Sequence, residues 1–296
     1  MADDLNDDES GSSESASSSK VSFFEKKDSL CPICEHPFRI EKFMTGGGRM
    51  NAGQLHSDLR REWLPSKKYG EIYPLIYDVV TCPACWYSAI AADFLKPDPK
   101  AIPKLKDSTD DRKAFVADIF PELNFTLPKG LREGVAGYLL ALHGYQFWGP
   151  NFAPSLKSAL CSIRASWIFQ DLYKKFPQEN FDYLSLIMKH KARFFYSRLV
   201  DRETTGKESV GSVTFFGPDI DYNWGYDGVL YLVGYLEFNL GDSHNETDRQ
   251  KKIERARMIL ARLVGLGKSS KSKPSAMLDM AKELYHKMGD ELKGSS

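Results

Sequence analysis

Two cysteine pairs constrain the fold of this 296-residue chain more than any other feature of its sequence. Cys31 and Cys34 enclose a Pro-Ile dipeptide, and Cys82 and Cys85 enclose a Pro-Ala dipeptide after a gap of 47 residues. A Cys-x-x-Cys turn places two thiolates on one side of a tight loop, and two such turns complete a tetrahedron of sulfur around Zn²⁺. The sequence therefore predicts a zinc site with these four ligands. Because four protein ligands leave no position for water, we expect the zinc to be structural.

The same thiols are compatible with three other uses. A rubredoxin-type iron site is built from similar Cys-x-x-Cys turns. A redox dithiol needs only one pair, but it also needs a thioredoxin-like context, which this sequence lacks. Buried thiols without a ligand role are the third alternative. The gap between the pairs exceeds the roughly 15–20 residues of common zinc ribbons, but the repetition of the pair favours zinc.

The N-terminus and the apolar stretches predict a cytoplasmic protein with no membrane segment. Residues 1–22 are rich in Ser, Asp and Glu, unlike the basic and then apolar start of a signal peptide. The longest apolar stretches, Gly134–Leu142 and Gly228–Phe238, are shorter than the roughly 18 residues that a membrane span requires. Cytoplasmic cysteines stay reduced, which agrees with metal binding. Because residues 1–22 offer little apolar surface to bury, we expect a disordered acidic tail.

Residues 23–95 are expected to form the zinc-binding head. The β-branched and aromatic residues between Glu71 and Thr81 predict a strand that leads into the second cysteine pair. Residues 96–106 contain three prolines and four lysines, a composition typical of a linker. We therefore expect this segment to separate the head from the rest of the chain.

Helical periodicity dominates residues 107–291, and residues 292–296 are expected to be a disordered end. An amphipathic helix is predicted by apolar residues that recur at steps of four, three and four, namely Leu156, Leu160, Ile163 and Trp167. Related patterns predict helices at 131–148, 181–199, 232–240, 253–263 and 277–288. Short connections predict antiparallel packing of neighbours. Gly134 and Gly137, early in the first of these helices, are interpreted as points of close helix–helix approach.

The expected fold class is mostly α. A small four-cysteine, zinc-ribbon-like head with a few short strands precedes a tetratricopeptide-like array of antiparallel helices. Tyr231–Leu263 resembles one tetratricopeptide repeat, because Gly234 lies in the first helix, Gly241 at the turn and Ala256 in the second helix. The polar insertion Ser243–Lys251 stretches the usual period.

An aromatic cluster is the candidate partner-binding site. Aromatic residues of this kind are favoured at binding surfaces, and five of them fall within one short segment: Phe215, Phe216, Tyr222, Trp224 and Tyr226. Burial against neighbouring helices is the alternative. The segment Asp219–Asp227 also resembles part of a calcium loop, but its glycine falls one position late, and Leu230 stands where a bidentate Glu is needed.

The segment 249–273 carries nine Lys or Arg residues and one acid, Glu254. Such a patch is what nucleic-acid binding uses to contact phosphates. No aromatic residue is interleaved with these cations, so a solvated helix face is the simpler interpretation.

The cysteine pairs and the residues around them resemble an uncharacterised bacterial family. The matching elements are Cys31-Pro-Ile-Cys34 with Phe38, Arg49 and Asp58, Tyr73–Tyr77, Cys82-Pro-Ala-Cys85 with Trp86 and Tyr87, and then Ala159–Trp167, Tyr231–Leu236 and Leu240-Gly241. The resemblance implies a zinc-ribbon-like head and a tetratricopeptide-like tail, and it brings no established activity. Members of the family are expected to carry Gly after the fourth cysteine. This chain has Trp86 there, and Glu35 follows its second cysteine.

These features together predict a non-enzymatic, zinc-stabilised scaffold that binds an unknown protein partner through its helices. The first alternative is a nucleic-acid-associated zinc protein that uses the basic segment 249–273. The second is an enzyme whose site is assembled from residues scattered along the chain. No small-molecule substrate is expected.

Overall fold

Helices account for most of the chain after residue 101. The computed structural model describes residues 20–241, 245–266 and 275–294. Within these ranges eight α-helices are present: α1 Ile102–Asp107, α2 Thr109–Ala117, α3 Leu131–Tyr145, α4 Pro154–Lys175, α5 Phe181–Thr204, α6 Gly225–Leu240, α7 Glu246–Leu266 and α8 Ser275–Gly294. The expected mostly α fold, with a few short strands near the N-terminus, is confirmed.

The strands in the described part of the chain form four antiparallel pairs, all before residue 91. They are β1 Ser22–Phe24 with β4 Glu41–Phe43, β2 Ser29–Leu30 with β3 Pro37–Phe38, β5 Asn51–Leu55 with β6 Arg61–Leu64, and β7 Val79–Thr81 with β8 Ser88–Ile90. The strand predicted between Glu71 and Thr81 is reduced to β7. A 3₁₀ turn over Pro74–Tyr77 precedes it, because the fixed φ of Pro74 suits the start of a helical turn.

Helix α4 lies at the centre of the helical part, in contact with α3 on one side and α5 on the other. All four of the apolar residues that predicted it are buried. Helices α6, α7 and α8 contact one another, and α6 also contacts α5. The Tyr231 hydroxyl of α6 donates to the Ser57 carbonyl at 2.6 Å. Gly234 of α6 lies so close to α7 that a Cβ atom there would come within 2.7 Å of Leu260. The tetratricopeptide-like interpretation itself stays a prediction.

Two glycines of α3 bring that helix against the cysteine-bearing part of the chain. A Cβ atom at Gly134 would lie 2.5 Å from the Cβ of Ile76, and one at Gly137 would lie 3.0 Å from Val79. The glycines are therefore points of close approach, as predicted, but the prediction that they approach another helix is wrong. They let α3 approach the 3₁₀ turn and β7 instead.

The segment 96–106 differs from the expected linker. Ala101 and Leu105 are fully buried, and α1 begins at Ile102. These apolar residues recur at helical spacing, so this part of the chain folds onto the core despite its prolines. Buried residues from both sides of the segment belong to one continuous hydrophobic core. Whether the two sides are separate domains stays a prediction.

The expected disordered ends differ in part from the structure. Ser22 belongs to β1, and residues 292–294 belong to α8. Residues 1–19 and 295–296 lie outside the described part of the chain. Among the described helices, none combines the length and the apolar character that crossing a membrane requires.

Candidate metal centre and helical groove

Each cysteine pair occupies the connection of a two-stranded hairpin. In the β2–β3 hairpin, the Cys31 N–H donates to the His36 carbonyl at 3.0 Å, and the Glu35 N–H donates to the Cys31 carbonyl at 2.9 Å. The same two bonds recur at the equivalent positions of the β7–β8 hairpin, at 2.8 and 2.9 Å. The Ile33 N–H lies 3.4 Å from the Cys31 Sγ and points a backbone dipole at that sulfur. The two hairpins therefore present their cysteines on similar backbone loops.

The residue after each pair adopts a left-handed backbone conformation. The φ angle is 62° at Glu35 and 56° at Trp86. This region favours glycine, because a Cβ atom there crowds the backbone. The conformation explains why glycine is expected after such a cysteine pair. Trp86 tolerates the position while its ring packs edge-on against Phe125 at 5.3 Å.

The fold brings the four cysteine sulfur atoms together although 47 residues separate the pairs. The Sγ atoms of Cys31 and Cys85 are 3.7 Å apart, and those of Cys34 and Cys82 are 3.6 Å apart. All four lie within 4.8 Å of one another. A tetrahedral ion with metal–sulfur bonds of about 2.3 Å requires sulfur–sulfur distances of about 3.8 Å. The predicted ligands are thus close enough to hold a metal ion.

Protonation within the cluster also fits a cation. The hydrogen bond of Cys31 with Cys82 and the burial of the Cys31 thiol raise its pKa to about 12. Hydrogen bonds with Cys31 and Cys82 raise the pKa of Cys85 as well, whereas the hydrogen bond from Cys31 lowers the pKa of Cys82. One thiolate therefore forces its neighbours to keep their protons. A divalent cation removes this conflict, because it stabilises all the thiolates at once. Cys34 is the exposed member of the cluster.

A buried arginine lies beside the cluster. Arg112 of α2 is 1% exposed, and its guanidinium donates to the carbonyls of Cys85 at 2.7 Å and Leu105 at 2.9 Å. Burial lowers the pKa of Arg112, and the nearby charges of the Cys85 and Cys31 sulfurs act against that shift. Within the described residues Arg112 forms no ion pair with a carboxylate. A divalent metal with four thiolates would carry a net charge of −2, and Arg112 would then supply a nearby positive charge.

The predicted aromatic binding segment is split between surface and core. Trp224 is only 6% exposed, as the burial alternative expects, and its role in partner binding stays a prediction. Its ring packs beside Tyr222 with centroids 4.7 Å apart, at the start of α6. Phe215 and Tyr222 are the exposed members. Phe216 and Tyr226 are half-buried, with their rings in contact at 6.2 Å.

The carboxylates of the same segment are used within the protein. Asp219 is fully buried and accepts hydrogen bonds from the N–H groups of Arg61 at 2.8 Å and Ile220 at 2.6 Å. Asp221 accepts from the Arg61 guanidinium at 2.9 Å. These contacts join the segment to β6 and occupy oxygens that a calcium loop requires.

Much of the basic segment is also paired within the protein. Arg249 bonds to Glu291 of α8 at 2.6 Å, and Arg255 forms an ion pair with Asp201 of α5. The guanidinium of Arg257 lies 4.3 Å from the centre of the Tyr285 ring. The predicted patch continues through 267–273, which lie outside the described residues. The part that is described supports helix packing more than phosphate binding.

A groove of about 410 Å³ runs between α5, α6 and α7. Its apolar lining includes Val233 of α6, together with Ala256 and Ile259 of α7. Phe194 of α5 also lines it and is 56% exposed. Phe194 was not predicted as a site residue, because one aromatic residue in a helix full of them gives no sign that its ring faces outward. Its position four residues after the polar His190 and four before Arg198 was the available signal.

Comparisons with known proteins agree with the resemblance of the cysteine pairs. The chain is 40% identical over 279 residues to an uncharacterized protein of Borreliella burgdorferi, an alignment that covers 93% of this chain and 98% of the relative. No solved structure matches it. Residues 24–288 match the family DUF2225, described as an uncharacterized protein conserved in bacteria. Both cysteine pairs and the first residue of every described helix fall within that range, and the chain belongs to this family.

Proposed function

We propose that this protein is a non-enzymatic scaffold, held together by zinc at its four cysteines, that binds a protein partner through its helical part. The observation that carries the proposal is the open groove between α5, α6 and α7, with the exposed Phe194 ring at its wall. Single exposed apolar residues are normal, but an aromatic side chain at the wall of an apolar groove is typical of surfaces that bind a partner.

Zinc is the proposed ion because a closed set of four thiolates suits a structural role. The ion supplies four bonds that cross-link the two hairpins, while Cys31, Cys34, Cys82 and Cys85 hold it. Elemental analysis of the purified protein is expected to find about one zinc ion per chain. A red protein with iron in equal amount would favour the rubredoxin-type alternative.

The groove replaces the aromatic segment 215–226 as the proposed partner-binding surface. Chemical cross-linking in cells that express the tagged full-length protein tests this. Phe194→Ser is expected to reduce the yield of a specific cross-linked partner at least tenfold, because a central aromatic anchor carries much of the binding free energy. Met258 of α7 is 64% exposed and does not line the groove, so Met258→Ser is the matched control. Equal loss in both variants would contradict the proposal.

A further inference from the structure

We infer that the groove between α5, α6 and α7 recognises an acidic, amphipathic helical segment of another protein. The inference rests on the proposed scaffold function and adds the chemistry of the partner. Two properties of the groove support it: an apolar floor, and a rim whose cations exceed its carboxylates. Both are needed, because each excludes a different class of ligand.

The apolar floor of the groove favours a ligand that carries apolar side chains. Val233, Ala256 and Ile259 come from the two adjacent helices α6 and α7, and Phe194 lines the groove from α5. A groove of this kind between packed helices accepts an amphipathic helix, whose anchors recur at three- and four-residue intervals. A purely polar segment would leave the floor covered by water and gain little from it.

The charged rim of the groove favours a ligand that carries negative charge. Four cations line the groove, Arg193, Arg198, Lys252 and Arg255, against the two carboxylates of Asp201 and Glu237, which leaves a net charge of +2. Glu237 pairs with Arg193 at 3.1 Å, and Asp201 pairs with Arg255.

The two remaining cations are available to a ligand. In the described part of the chain, neither Arg198 nor Lys252 forms an ion pair with a carboxylate. Both are exposed, and the Arg198 guanidinium lies 5.9 Å from the centre of the Phe194 ring. A carboxylate of the partner could therefore pair with Arg198 or Lys252 without competition from a carboxylate of this chain, and Arg198 lies next to Phe194.

Two other anionic ligands fit less well. Nucleic acid would use the cations, but base stacking needs several exposed rings, and of the residues that line the groove only Phe194 is aromatic. The chain's own residues 1–20 carry six acids, but Met1 and Leu5 are their only large apolar residues. Neither ligand would cover the apolar floor.

The test uses a synthetic peptide as the probe and the full-length chain as the receptor. The probe is a fluorescein-labelled helical 16-mer with Leu at positions 3, 6, 10 and 13 and Glu at most of the others. One control peptide replaces each Leu by Ser, and a second replaces each Glu by Lys. Fluorescence anisotropy is expected to show binding of the probe at least tenfold tighter than that of either control.

Variants of the protein locate the site. The double variant R198E/K252E is expected to weaken probe binding at least tenfold, and Phe194→Ser is expected to do the same. Lys251→Glu reverses one positive charge next to Lys252, at an exposed position that does not line the groove. Its effect on probe binding is expected to stay below about twofold. Circular dichroism checks that every variant is folded.

Three results would overturn the inference. The first is equal binding of the Glu and Lys peptides, and the second is an equal effect of Lys251→Glu and R198E/K252E. The third is displacement of the probe by a 20-nucleotide DNA, or by a peptide of residues 1–20, more effectively than by unlabelled probe. None of these results depends on the cross-linking experiment. If Phe194→Ser still abolishes a cross-linked partner, the scaffold function survives and only the chemistry of the partner is wrong.

Discussion

The cysteine-bearing part of the chain and its helical part are built on different scales. The longest strand of the first has five residues, and every sheet has only two strands. Isolated two-stranded hairpins are at best marginally stable in water. Helix α4 alone spans 22 residues, most of which are buried. Burial thus stabilises the helical part, whereas the hairpins are expected to depend on a metal ion at the cysteines and on the surface against which they pack.

Part of that surface is α3, and the contact makes the two parts interdependent. Ile76 and Val79 pack into the spaces left by two glycines of α3, and Tyr138 of the same helix donates to the Leu75 carbonyl at 2.8 Å. Because the core is continuous, loss of structure on one side exposes apolar surface on the other. The comparison therefore predicts one cooperative unfolding transition, with a free energy that depends on the metal.

Removing the metal is expected to have the largest effect. Structural zinc sites contribute on the order of 10 kcal/mol to folding, so Cys31→Ser/Cys82→Ser is expected to abolish metal binding and unfold the hairpins. Because the core is shared, we expect the helical part to lose stability as well. If the helical part had a core of its own, it would stay folded. Metal content and thermal unfolding by circular dichroism measure the two effects.

The fifth cysteine provides the control for that experiment. Cys161 of α4 is fully buried and lies outside the cluster. Cys161→Ala is expected to leave the metal content unchanged and to lower the free energy of unfolding by only about 1 kcal/mol. A metal-free double variant with an unchanged thermal midpoint would show that the two parts are energetically independent.

Truncation of Trp224 tests packing in the helical part without involving the metal. Trp224→Ala is expected to lower the free energy of unfolding by about 3–5 kcal/mol, since it removes a buried ring. Tyr222→Ala, at a neighbouring residue that is 44% exposed, is expected to cost about 1 kcal/mol. Urea unfolding measures both. A larger loss from Tyr222→Ala would reverse the assignment of core and surface in this segment.

Asp219 gives the contact between β6 and the segment before α6 a pH signature. Burial raises its pKa to about 6, although hydrogen bonds from Arg61 and Ile220 act in the opposite direction. The unfolded chain has a pKa of about 3.9 at this residue, so the native state holds the proton more tightly and loses stability as the pH rises from about 4 to about 6. The full effect of two pKa units is about 3 kcal/mol.

The Asp219→Asn variant removes that titration. Its free energy of unfolding, subtracted from that of the wild type at each pH, isolates the effect of Asp219 from metal release, which is common to both proteins. The difference is expected to change by up to about 3 kcal/mol between pH 4 and pH 6, in favour of the variant as the pH rises. A difference that does not vary with pH would show that Asp219 has an ordinary pKa.

Gly134→Ala perturbs the contact between the two parts with a single methyl group. The added atom overlaps Ile76, so a net loss of about 1–2 kcal/mol is expected even though alanine favours a helix. Among the described residues, Gly265 in α7 has no neighbour within 4 Å of a Cβ atom, and Gly265→Ala is expected to stabilise the protein by about 0.5–1 kcal/mol. Chemical denaturation of the two variants should thus give opposite signs. If both variants changed the free energy of unfolding in the same direction, steric contact with Ile76 would not be the cause.

The sequence predicted what depends on local pattern or on ligand chemistry. The apolar spacing in α4 gave that helix, and the two cysteine pairs gave the sulfur cluster. The sequence did not reveal which surface lies opposite a residue. Gly134 was correctly interpreted as a close contact but assigned to the wrong partner, and the aromatic pattern of 215–226 left open whether Trp224 lies at the surface or in the core. Arg112 went unnoticed, because its role arises only when α2 packs against the carbonyl of Cys85.

The left-handed loop residues make the two hairpins unequal as targets for protein engineering. Glu35 is exposed, so glycine at that position would relieve roughly 1 kcal/mol of backbone strain and give up little contact. Trp86 occupies the same conformation, but the same change there would discard its packing against Phe125. A more stable variant is therefore accessible through Glu35→Gly in the first hairpin, beside the cysteine cluster.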